Sequence, residues 1–82
     1  MILTILAYKD TELDKFQPAF LVPQQLEECI ESIFDAAKKG KIEDVAHKQA
    51  FYFGTFDTLD GKFALCEKKM VADLTSYGVK NA

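Results

Sequence analysis

The sequence predicts an α+β domain: a small, mainly antiparallel sheet in the order β-β-α-β-β-α, with the helices packed on one face. Three observations carry this prediction. Residues 2–9 and 51–66 are rich in β-branched and aromatic side chains and are bounded by turn residues. Residues 26–37 repeat apolar side chains at i, i+3, i+4 and i+7. The dipeptide Asp60-Gly61 joins two extended runs at hairpin distance. With 82 residues, 49% of them hydrophobic and 28% charged, the chain reads as one domain over residues 1–82 that has enough apolar surface to collapse. A domain this short buries only about 60% of its extended-chain surface, so dimerisation would add to its stability.

The first element is the apolar run Ile2 to Lys9, too short for a stable helix and read as a strand buried on most of both faces. Lys9 and Asp10 interrupt it too early for a signal peptide or a membrane span, which gives the expectation of a cytoplasmic protein without membrane contact. Residues 9–15, KDTELDK, lack an apolar stripe and read as a solvated loop. Residues 16–22, FQPAFLV, read as a second strand that Pro18 confines to an edge or a bulge, because proline cannot donate to the ladder.

A helix is predicted from Pro23, a favoured first helical residue. Its apolar stripe is Leu26, Cys29, Ile30, Ile33, Phe34 and Ala37, and its solvated face holds Glu27, Glu28, Glu31, Asp35 and Lys38. Lys38, Lys39 and Gly40 supply a C-terminal signal that agrees with the periodicity. Residues 41–49 read as one or two short turns, and residues 51–56 and 62–67 as the strands of a hairpin closed by a loop of three to five residues that contains Asp60-Gly61. Asp57 and Asp60 read as turn formers, since a calcium loop would need alternating oxygen ligands and a distal glutamate. Met70, Val71, Leu74 and Tyr77 recur at helical spacing, with Gly78 as the stop and a fraying tail beyond it.

The charge pattern narrows the function classes. The formal net charge is −3, with ten lysines and no arginine. Arginine is the preferred residue for bidentate phosphate and guanine contacts, so its absence argues against a sequence-specific duplex reader. A sequence-tolerant binder relying on lysine charge and aromatic stacking remains compatible. His47 is the only histidine and no motif ties a nucleophile to it, so no catalytic residue and no enzyme activity are expected. Cys29 and Cys66 lie at no metal-ligand spacing and read as small buried apolar residues; no metal and no cofactor are expected.

Four of the seven phenylalanines fall at positions 51, 53, 56 and 63. With Leu59-Asp60-Gly61 as the loop, side-chain alternation puts Phe51, Phe53, Thr55, Phe63 and Leu65 on one face, the better candidate for the core under the helix. Tyr52, Gly54, Phe56, Lys62, Ala64 and Cys66 then share the other. Tyr52 and Phe56 form the candidate stacking surface for bases, with Lys48, Lys62 and Lys9 near phosphates and Tyr8 as an extension on the first strand. The competing use of the same face is association with a second copy of the chain.

The stretch FYFGTFDTLDGKF, the AYKD that ends the first strand, and FQPAFLVP before the helix together resemble the small nonstructural protein of gokushovirus-type microviruses. Gly54, Phe56, Asp57 and Gly61 carry most of that resemblance. It implies a phage protein of the host-cell cytoplasm, nonstructural, binding single-stranded DNA during genome replication or packaging. Glu27, Glu28 and Glu31 depart from it, standing where members often carry basic residues. The expectation is therefore a nonenzymatic, weakly sequence-selective single-stranded DNA-binding protein, a homodimer without a small-molecule substrate. The alternative is a protein–protein interaction or scaffolding module that self-associates through an aromatic sheet face.

Overall fold

In a computed structural model that describes residues 1–79, strand β1 (Ile2–Asp10) runs through the middle of a five-stranded sheet. Strand β2 (Lys15–Phe16) and strand β3 (Phe20–Val22) both flank it on one side. Helix α1 (Leu26–Lys38) and a 3₁₀ turn (Val45–His47) follow, then β4 (Lys48–Asp57) on the other side of β1, β5 (Lys62–Asp73) beyond β4, and a short helix α2 (Thr75–Val79). Every strand pair is antiparallel. Among the described residues, no helix is long and apolar enough to cross a membrane.

The α+β class and the antiparallel sheet agree with the sequence, but the element order does not. The segment 16–22 is two short strands rather than one. The Gln17 N–H still donates to the Tyr8 carbonyl, and the ladder then breaks around Pro18, which has no N–H to give. The second departure is at the C-terminal end, where Met70 pairs with Phe51 and Ala72 with Ala50, so both belong to β5 and not to a helix. Val71 is an extra residue in β5 at that point, a bulge, and it packs toward the core. Helix α2 starts only at Thr75, whose N–H and hydroxyl both donate to the Asp73 carboxylate, and it continues through Gly78 to Val79. The predicted fraying of residues 80–82 lies outside the described residues.

Helix α1 begins at Leu26 rather than Pro23, because residues 23–25 are used to connect it to the sheet. The Thr4 hydroxyl donates to the Gln24 carbonyl at 2.5 Å, and the Cys29 thiol donates to the same oxygen at 3.6 Å. The end of the helix is a Schellman motif: the Gly40 N–H reaches the Ala37 carbonyl at 3.2 Å and the Lys41 N–H the Ala36 carbonyl at 2.9 Å, with Gly40 at φ 70°. The apolar stripe docks on one face of the sheet. Leu6, Cys29, Ile33, Ala37, Ala50, Ala72 and Leu74 form the buried cluster, and the small alanines at the contact let the helix approach the strands closely. Glu27, Glu28 and Glu31 are exposed, and Asp35 pairs with Lys39 at 3.0 Å.

Candidate functional site

Two local features decide which way the hairpin side chains point. The first is the loop, which has four residues, 58–61, and leaves Asp57 paired with Lys62. The Asp57 carboxylate accepts from the Leu59 N–H at 2.9 Å, the Asp60 carboxylate from the Lys62 N–H at 3.0 Å, and Gly61 sits at φ 71° with its N–H on the Asp57 carbonyl. Four residues fall within the expected three to five, but the face assignment that takes Leu59-Asp60-Gly61 as the loop is one residue short, and the correction puts Phe63 rather than Ala64 opposite Phe56.

The second feature is a bulge in β4. Ile5 pairs with Gly54 and Leu6 with Tyr52, which leaves Phe53 as the extra residue. Gly54 takes φ 127°, and a Cβ there would overlap the Ala64 carbonyl oxygen and lie 2.9 Å from Leu65 Cα. Glycine is therefore required by both backbone angle and space. Before the bulge, Ala50 and Tyr52 face α1; after it the alternation is inverted, so Phe56 joins Phe51 and Phe53 on the side without a helix.

The two faces expected from alternation are accordingly reassigned. Tyr52 packs against the core cluster beneath α1, as does Tyr8, whose phenol burial pushes up. Lys48, opposite Asp10, is buried on that same side, with Asp44 at 3.9 Å. Lys62 stands at the hairpin end in register with Ile2 and Asp57, again on the α1 side. Of the six candidate binding residues only Phe56 and Lys9 lie on the other face, so the structure does not bring Tyr52 and Phe56 into one platform. Cys66, expected to be buried, is exposed because residues 66–68 bow out of the β5 ladder.

The helix-free face is an apolar surface. The Phe16 ring meets those of Phe51 and Phe53 edge to face, at 5.1 and 5.6 Å, and Phe56 meets Phe63 at 4.6 Å. Register adds Leu3, Ile5, Ala7, Leu21, Leu65 and Met70. Ile5 and Ala7 are buried although no helix lies over them, so only their neighbours' side chains cover them. Those neighbours stay open: Phe63 is 60% and Leu65 68% exposed, and Phe16, Leu21 and Met70 each exceed 40%. Lys9 lies beside the rings, 5.9 Å from the Phe16 centroid, and Asp14 holds it at 3.0 Å. Phe16, on a different strand from the hairpin, and Met70, at helical spacing in the sequence, carry no sequence signal that would place them on this face.

His47 lies on the 3₁₀ turn, its Nε2 3.5 Å from the Glu12 carboxylate. Among the described residues no group of three or more His, Cys, Asp or Glu stands close enough together to hold a metal ion. No protein-family model, curated protein or solved structure matches the chain.

Proposed function

We propose that this protein is a non-catalytic interaction module that self-associates through the helix-free face of its sheet. The observation that carries the reading is the exposure of Phe16, Leu21, Phe63, Leu65 and Met70 together on one face. At 150–250 Å² for a full aromatic side chain, their open area is on the order of 500 Å², against about 800 Å² per partner in a standard interface. Half-buried Leu3, Phe51, Phe53 and Phe56 add to it. A layer with two apolar faces needs cover on both, and α1 supplies only one. Apart from Lys9 and Asp73 at one end, the ring-bearing part of the face is apolar, so the partner surface must also be apolar, and a second copy packed sheet on sheet provides that by symmetry.

Sedimentation equilibrium tests it. Wild type is expected to be a dimer, and Phe63→Ser with Leu65→Ser a monomer with unchanged circular dichroism, because both side chains are open in the single chain. A wild type that stays monomeric at about 100 μM, a concentration set by the weak end of transient interfaces, removes the reading.

A second reading keeps the ring row as a stacking surface for single-stranded DNA, in line with the resemblance to the microvirus nonstructural protein and a role in phage genome replication or packaging. Lys9 beside Phe16 supports it; the placement of Lys48 and Lys62 on the opposite face of the sheet weighs against it. A lysine-assisted complex with labelled oligothymidylate must weaken steeply with salt, and absence of binding at low salt discards this second reading.

A further inference from the structure

On the α1 side, at the end of the sheet away from the hairpin loop, a cleft of about 630 Å³ is lined by Tyr8, Asp10, Gln17, Lys48 and the loop residues Lys41 to Asp44. That volume falls within the range of small-molecule sites. Its floor is held firmly. Asp10 pairs with Lys48 and Tyr8 with Ala50 across the ladder, the Leu74 N–H donates to the Lys48 carbonyl at 3.1 Å, and the Thr11 N–H to the His47 carbonyl at 2.9 Å. The mouth is the loop that leaves the Schellman end of α1 and turns at Asp44, which adopts φ 56°.

Lys48 is 6% exposed, yet its only ion pair among the described residues is with Asp44, at 3.9 Å. Buried lysines are rare unless paired, and an ammonium–carboxylate hydrogen bond is about 2.7–2.9 Å long. The Asp10 carboxylate, also on the floor, spends Oδ1 on the N–H groups of Glu12 and Leu13, at 2.9 and 3.0 Å. Among the described residues no buried side-chain nitrogen or oxygen lacks a partner, so the Lys48 stem is buried while its ammonium keeps a solvent-reached edge on a cleft that the Tyr8 and Gln17 side chains also line. Glu43 and Asp44 are exposed at the rim, with Lys41 beside them.

We propose that this cleft binds a small zwitterion of the amino-acid class, its carboxylate on Lys48 and its ammonium toward Asp44 and Glu43. A carboxylate supplies the short partner that Lys48 lacks. A dianion is disfavoured by the three acids around the cleft, and a bare cation by Lys48 itself. The proposal is independent of the self-association face, which lies on the opposite side of the sheet.

The test is amide chemical-shift titration of the isotope-labelled protein with glycine, acetate and inorganic phosphate at fixed ionic strength. Saturable shifts at Gln17, Lys48 and residues 41–44 are expected with glycine, about fivefold tighter than with acetate and with phosphate weakest, the gain of one half-exposed ion pair. Lys48→Met, checked for retained spectral dispersion, is expected to abolish them. Asp44→Asn keeps a residue that accepts positive φ and, by removing the rim carboxylate, is expected to tighten acetate and to narrow or erase the preference for glycine. No saturable shift with any probe up to about 50 mM, tighter binding of phosphate than of glycine, or an Asp44→Asn variant that changes neither affinity overturns the proposal.

Discussion

Gly54 and Ala64 approach so closely across the β4–β5 ladder that a methyl group on Gly54 would collide with the Ala64 carbonyl oxygen. Gly54→Ala therefore has to open the hairpin or unwind the bulge. It is expected to destabilise the fold by at least about 3 kcal/mol, the sum of a strained positive φ and a backbone collision, measured by urea denaturation. A loss below about 1 kcal/mol would mean that the bulge is not held in this conformation.

Thr4 anchors the segment leading into α1 through its hydroxyl on the Gln24 carbonyl. Thr4→Val preserves shape and removes the donor, leaving that oxygen with only the weak Cys29 thiol. The expected cost is about 1–2 kcal/mol, read as a shift in denaturation midpoint at unchanged slope.

The two thiols differ in access. Cys29 is buried, with its thiol pushed up by burial, whereas Cys66 is exposed on the outward bow of β5. A chromogenic disulfide reagent is expected to titrate one thiol quickly in the native protein and the second only after unfolding. Two fast thiols would show that α1 does not stay docked on the sheet.

Acid stability follows from Asp73 and Asp10. The Thr75 hydroxyl and then the Thr75 N–H hold Asp73 below its ordinary carboxylate value; for Asp10 the Leu13 N–H does most, burial opposes it as the next largest effect, and the Glu12 N–H, Lys48 and His47 add smaller lowering contributions. Folding thus favours the charged forms. Their contribution is complete above the unfolded value of about 3.9 and is lost as pH falls through the lower folded values. The melting temperature of wild type is expected to drop below about pH 4 more steeply than that of Asp10→Asn/Asp73→Asn. Parallel curves would remove both carboxylates from the acid transition.

The sequence made α1 and its C-terminal cap legible because a 3.6-residue apolar stripe and Gly40 at its end agree, and the structure retains both. The strands were legible from composition, the faces of the hairpin were not. Alternation assigns sides only while the register is uninterrupted, and here Phe53, Val71 and residues 66–68 each interrupt it. Gly54 held the available hint, since an isolated glycine within a strand pattern marks a bulge or a close backbone approach. Met70 and Val71 misled because a bulge in a strand can imitate helical spacing over a few residues. The Lys48 cleft left no local signal: its walls come from residues 8–17 and 41–48, brought together by the pairing of β1 with β4.

The four-residue tip of the hairpin has an evolutionary corollary. Since a pleated ribbon has a parity of two, deleting a single codon between Asp57 and Lys62 would swing Phe63 and Leu65 to the opposite surface without altering either strand's composition. Lineages that keep the sticky side must therefore conserve the tip's length more strictly than its letters, so substitutions there should be common and single-residue indels rare.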